Sequence, residues 1–143
     1  MQNVQPINPG GVAEFDFGKV KCVTAVHSSS FPDGSYAGVA SGFVLQTNEG
    51  SLYYSGDTAL TMDMTLIPQF IQPDFAVFPI GDRLTMGVQE AITAAGFVKV
   101  KKVVGVHYDT FGFIKLDPAK SKQAFESAGL QLLLPAIGET IEI

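Results

Sequence analysis

The chain has 143 residues, 46% of them hydrophobic and 16% charged, which excludes a disordered chain and suits one compact domain spanning 1–143. Nine Lys and Arg against 14 Asp and Glu leave a net charge of −5, and a chain without a basic footprint is no partner for nucleic acid. No apolar run reaches the ~18 residues of a membrane helix, Met1 to Gly11 show no export signal, and the single cysteine is Cys22, so a cytoplasmic protein with no membrane contact is expected.

Taken in chain order, Ala13 to Phe17 alternates apolar and acidic, and Phe17-Gly18-Lys19 turns it into the β-branched strand Val20 to Val26. Val39 to Thr47 is a second apolar run, which Asn48-Glu49-Gly50 folds back into Ser51 to Ser55 as another hairpin. Thr61 to Phe70 carries Met62, Met64, Leu66, Ile67 and Phe70 and suits a short helix. Asp74 to Phe78 is an apolar run bounded by prolines, the pattern of a strand buried on both faces.

Met86 to Ala95 places Val88, Ala91, Ile92 and Ala95 at helical spacing, with Gly96 as the expected C-cap. Val103 to Val106 is another buried strand, followed by a helix opening at Pro118, capped by Asp117 and ended by Gly129. Leu130 to Leu134 and Thr140 to Ile143 are expected to be the last two strands. Hairpins first and strand–helix alternation afterwards imply an α/β (α+β) chain whose mixed sheet carries its helices on one face.

Only two histidines occur, and each stands where a predicted strand gives way to a loop: His27 after Val26 and His107 after Val106. Asp57 and Asp82 occupy the same kind of position, each behind a glycine. Carboxyl ends of strands in α/β sheets deliver side chains into one shared crevice. Taken singly, each has a simpler reading: either histidine as a hydrogen-bonded core residue, Asp57 as a helix cap, Asp82 as a turn residue or a partner for Arg83. Together, two imidazoles and a carboxylate make a ligand set for zinc, manganese or iron, and catalytic zinc takes three protein ligands plus water.

Thr24-Ala-Val-His-Ser28, Tyr54-Ser-Gly-Asp-Thr58, Phe78-Pro-Ile-Gly-Asp82 with Thr85-Met-Gly87, and Val106-His-Tyr-Asp-Thr-Phe111 resemble the later motifs of the metallo-β-lactamase superfamily. The nearest likeness is to its branch of bacterial metal-dependent hydrolases related to the ascorbate-phosphate lactonases. The resemblance implies an αββα sandwich, with His27 on one metal, Asp57 bridging two and His107 on the second. It implies metal-bound hydroxide attacking a lactone, ester, amide or phosphoester of a small-molecule substrate, with a divalent metal, zinc ahead of manganese or iron. Asp57 and Asp82 are the expected catalytic carboxylates, Asp82 and Thr85 in supporting roles.

The superfamily's earlier His-x-His-x-Asp-His motif is not in this sequence. Only the carboxy-terminal portion of the sandwich is therefore expected, with an incomplete metal site, weak metal binding and little hydrolysis by this chain alone. A sheet face left without its second layer implies a homo-oligomer or association with the missing amino-terminal half. The competing reading is a non-catalytic truncated module that associates through that face, and a third is an ordinary α/β domain with its His and Asp placed by chance.

Overall fold

A computed structural model describes residues 4–143. Met1 to Asn3, part of the segment read for an export signal, lie outside the described residues. Seven strands form one mixed sheet in sequence order: β1 (Val12–Phe15), β2 (Gly18–Thr24), β3 (Ser41–Gln46), β4 (Ser51–Tyr54), β5 (Phe75–Pro79), β6 (Lys102–Val106) and β7 (Gln131–Leu133). The first three pairings are antiparallel and the last three parallel. Consequently β2, β4, β5, β6 and β7 all point the same way, and their carboxyl ends share one edge of the sheet.

Between β4 and β5 lie a 3-10 turn, Met62–Leu66, and the short helix α1 (Ile67–Phe70). Helix α2 (Val88–Val98) links β5 to β6, and α3 (Pro118–Ser127) links β6 to β7. Among the described residues no helix is long and apolar enough to cross a membrane.

The two faces of the sheet differ because side chains alternate along a strand. Val44, Tyr53, Ala76, Val103 and Leu132 are in register across five strands, and all are buried in one core with Met64, Ile67, Ala91, Ala94, Ala95, Val98 and Phe125. The alanines of α2 let its backbone approach the sheet. The opposite face presents Phe43, Leu45, Leu52, Phe75 and Val77, all only partly buried, and the exposed Tyr54. The expectation of helices on one face is met.

Three local expectations need correction. Helix α2 does not end at Gly96: it continues to Val98, which is fully buried, and stops at Lys99 in the left-handed conformation, φ 57°. Burial of Val98 outweighs the local glycine signal. Thr140 to Ile143 form no strand. A turn over Ala136–Glu139, closed by the Glu139 carboxylate accepting from the Ala136 N–H at 2.7 Å, takes the tail off the β7 edge, and Ile143 lies beside Leu45, Leu52 and Phe75 on the open face. Asp57 caps no helix, since Thr61 Oγ1 accepts from the Asp63 N–H at the head of the 3-10 turn. The cap expected of Asp117 is present, its Oδ1 accepting from the Ala119 and Lys120 N–H groups at 3.0 and 3.1 Å.

Candidate functional site

Four loops leave the shared edge of the sheet, and hydrogen bonds donated by backbone N–H groups tie them to one another. The Val26 N–H donates to Thr58 Oγ1 at 2.9 Å and the Ala59 N–H to the Val26 carbonyl at 3.0 Å, which fastens the loop of His27 to that of Asp57. The Met86 N–H donates to the Thr58 carbonyl and the Ile80 N–H to the Val106 carbonyl, both at 3.0 Å. The loops of Asp57, Asp82 and His107 thus form one connected rim. Thr58 is fully buried and its hydroxyl also donates to the Ala59 carbonyl at 2.8 Å, so it is the fastening point of this rim.

Asp57 follows β4 and His107 follows β6, strands that flank β5 and therefore stand about 9–10 Å apart. Their side chains lean over the end of β5 and meet, His107 Nε2 lying 3.6 Å from Asp57 Oδ2. That separation is long for a hydrogen bond. It matches two ligands of one tetrahedral ion, since donors ~2.0–2.2 Å from zinc stand about 3.4 Å apart. The carboxylate is 46% exposed and the imidazole 27%, and the other imidazole nitrogen, Nδ1, is buried without a partner among the described residues.

Local conformation makes this approach possible. A Cβ on Gly81 would stand 2.2 Å from the His107 carbonyl oxygen, so only glycine lets the loop after β6 settle against the end of β5. His107 itself has φ 56°, and Asp82, Arg83 and Asp109 are also left-handed at 62°, 50° and 64°. Of the five non-glycine residues with positive φ among the described residues, these four lie on two loops of the rim; the fifth is the helix-capping Lys99. Such strain persists where surrounding structure over-determines it, and functional sites are where it gathers.

The other expected site residues are placed differently. His27 is exposed, with Nδ1 2.9 Å from the carbonyl of Ser28. Among the described residues no three His, Cys, Asp or Glu side chains form a group that can hold a metal ion, so His27 does not complete a triad with Asp57 and His107. Asp82 Oδ1 accepts the Arg83 N–H at 2.7 Å, its N–H donates to the Met86 carbonyl at 3.0 Å, and its carbonyl accepts from Leu84 and Thr85. That is the turn role, and the Asp82–Arg83 link runs through backbone, not through an ion pair. Thr85 is buried under the same turn. The Arg83 guanidinium lies over the Phe113 ring, 4.9 Å from its centroid, and Phe111 stacks on Phe113 at 5.5 Å.

Gly81 and Thr58 carry no expected role of their own in the sequence. The available signal was their position, one immediately before Asp82 and the other immediately after Asp57. In the loop after Ser30, the Ser35 hydroxyl and N–H both donate to Asp33 Oδ1 and hold its carboxyl below the usual carboxylate range. Partial burial pushes the Tyr108 phenol up, aided by the negative charge of Asp109.

Residues 1–108 match the family model described as the beta-lactamase superfamily domain. The chain belongs to the beta-lactamase superfamily. A superfamily relative from Christiangramia forsetii, named a metal-dependent hydrolase, is 52% identical over 98% of this chain and 62% of its own length. The metallo hydrolase of the archaeon Ignicoccus hospitalis is 34% identical with a TM-score of 0.82, covering 94% of this chain and 58% of that one. A metallo-beta-lactamase fold protein from Bacillus subtilis, 12% identical, shares the fold with a TM-score of 0.66 over 91% of this chain and 51% of its own. The expected superfamily and the mixed α/β fold are both borne out. The chain spans about three-fifths of the length of the curated relatives it matches.

Proposed function

We propose that this chain carries part of the catalytic site of a metal-dependent hydrolase. The observation that carries the reading is the convergence of Asp57 and His107 over the end of β5, 3.6 Å apart, on a rim of strained loops. One hard carboxylate and one imidazole are a donor pair suited to zinc, with manganese or iron as alternatives. When bound, such a metal makes hydroxide available at neutral pH and polarises the oxygen of a lactone, ester, amide or phosphoester. Asp57 and His107 would hold it; His27, fastened beside Asp57 through Val26 and Thr58, would need a turn of its ring away from the Ser28 carbonyl to contribute. Asp82 shapes the rim as a positioning residue, and Arg83 on Phe113 offers a guanidinium to an anionic small substrate.

Two ligands fall short of the three that a stable catalytic zinc takes, so the site is incomplete in this chain. The remaining donors come from a longer chain or from a second copy, and the partly buried Phe43, Leu45, Leu52, Phe75 and Val77 are the face against which such a layer packs. A buried, unpaired Cys22 suits a reducing compartment, the cytoplasm. In a relative of full curated length, replacing the aspartate aligned with Asp57 by alanine abolishes hydrolysis and metal occupancy; unchanged hydrolysis overturns the assignment.

The exposed His27 and the lack of any three-ligand group among the described residues favour a second reading, a non-catalytic module that associates through the open sheet face. A zinc titration of the purified protein separates the two: weak binding that is lost in Asp57→Asn supports the hydrolase, and no binding up to millimolar zinc supports the module.

A further inference from the structure

The chain holds a single arginine, Arg83, and it stands on the same rim as Asp57 and His107. Gly81, two residues before it, abuts the His107 carbonyl, and two residues of chain reach at most about 7 Å. Phe113 comes to the same place from the next loop. The Asp109 N–H donates to the Ile114 carbonyl at 3.0 Å and the Ile114 N–H to the Phe111 carbonyl at 3.1 Å, which folds the 3-10 turn Gly112–Ile114 back and packs Ile114 on Gly81.

Two successive left-handed residues, Asp82 and Arg83, carry the arginine out of the turn, and its guanidinium lies over the Phe113 ring. It is in no ion pair among the described residues. The neighbouring carboxylates are engaged with backbone: Asp82 Oδ1 accepts the Arg83 N–H at 2.7 Å, and Asp109 Oδ1 accepts the Leu116 N–H at 3.0 Å. A ring against one face of a guanidinium leaves its in-plane N–H donors free, a fork that takes a carboxylate or phosphate by two bonds at once. Phe111, stacked on Phe113 with ring planes 9° apart, and the exposed Leu84 add apolar surface around that fork. A held cation set in apolar surface suits an anion on an apolar body better than a bare ion.

We infer that Arg83 is the specificity-determining residue of the rim, and that the substrate is a small organic oxyanion, a phosphate or carboxylate carried on a flat apolar body. This rests on the hydrolase reading and names the substrate class of that site. The Arg83 fork takes the oxyanion, Phe113 and Phe111 take the apolar body, and Asp57 with His107 is left for the bond to be broken.

Because the chain has one arginine, its Nε–H resonance is unambiguous in NMR. The 143-residue chain, without added metal, is titrated with phenyl phosphate and with benzoate, following that resonance and the Phe113 amide. A saturable shift with at least one of them is expected, the tighter identifying the group, while neutral benzyl alcohol and inorganic phosphate bind roughly tenfold more weakly. Arg83→Gln, at an exposed position, lowers the affinity read at the Phe113 amide by roughly tenfold, the loss of a charge-assisted pair. Arg83→Lys, which keeps the charge without the fork, does not restore it. No saturable shift with either organic anion, inorganic phosphate binding equally well as an adventitious ion only, equal affinity for benzyl alcohol, or full binding by Arg83→Gln would each overturn the inference. Zinc is titrated separately. Zinc held through Asp57 beside a silent Arg83 overturns this inference alone, whereas anion binding at Arg83 in a chain that takes no zinc leaves the anion site standing while the hydrolase reading falls.

Discussion

Asp57 and His107 face each other across the end of β5, Oδ2 to Nε2 at 3.6 Å, though neither lies on that strand. With no third ligand gathered beside them among the described residues, zinc binding by this chain is expected to be weak and to depend on both. Asp57→Asn and His107→Ala should each weaken it by tenfold or more in a competition titration with a chromophoric chelator. Any rise in melting temperature on adding zinc, which follows from mass action on the folded state, should disappear in both variants. A zinc affinity untouched by either substitution would place the metal elsewhere.

Gly81→Ala should be destabilising, because its methyl would meet the His107 carbonyl oxygen at 2.2 Å. Backbone cannot yield as a flexible side chain does, so a loss of about 1–3 kcal/mol is expected in urea unfolding. The variant should also lose zinc affinity as the loop after β6 is pushed off β5. A neutral variant would mean that the close approach has no bearing on the site.

Lys99→Gly tests the end of α2. Lys99 is the helix C-cap at φ 57°, a conformation that costs an ordinary residue about 1–2 kcal/mol and glycine little. After the extra chain entropy of an unfolded glycine, a net gain of about 0.5–1 kcal/mol is expected in the same assay.

Stability should fall on the alkaline side through Tyr53. Its folded-state pKa is raised by burial, so above pH ~10 the unfolded phenol ionises while the folded one stays protonated, and the unfolded state then binds fewer protons. The contribution is constant below that pH and is lost as pH rises, at no more than about 1.4 kcal/mol per pH unit. Urea unfolding at pH 8 and pH 11 should show a larger drop for the native chain than for Tyr53→Phe. Equal drops would mean that the phenol titrates normally.

Light scattering behind size exclusion should give a mass above the 15.2 kDa of one chain, because Phe43, Leu45, Leu52, Phe75 and Val77 form a contiguous apolar face. Leu52→Glu, in the middle of that face, should return the mass to that of one chain. A clean monomer of the unaltered protein at high concentration would contradict association.

The four strand-end loops were legible in the sequence because apolar runs such as Val103 to Val106 give way to a histidine or to a Gly-Asp pair, and the same residue types recur at four strand ends. Asp117 and Pro118 marked the start of α3 for an equally local reason. The end of α2 was not legible, since Gly96 looks like a stop until the core position of Val98 is known. Nor could spacing alone show which of His27, Asp57 and His107 converge. His27 follows a strand antiparallel to its β3 neighbour and turns its ring to the Ser28 carbonyl, whereas His107 depends on the space left by Gly81. Both outcomes are set by contacts between segments far apart in the chain.

The order of the strands in the sheet is their order in the chain, and this governs how the protein is made. Each strand needs only its predecessor, so pairing closes short segments and carries a modest entropic cost. The sheet can grow from the β1–β2 hairpin outward as the ribosome delivers it. Asp57 leaves the ribosome before the strand that carries His107, so the pair can form only once β6 has joined the sheet.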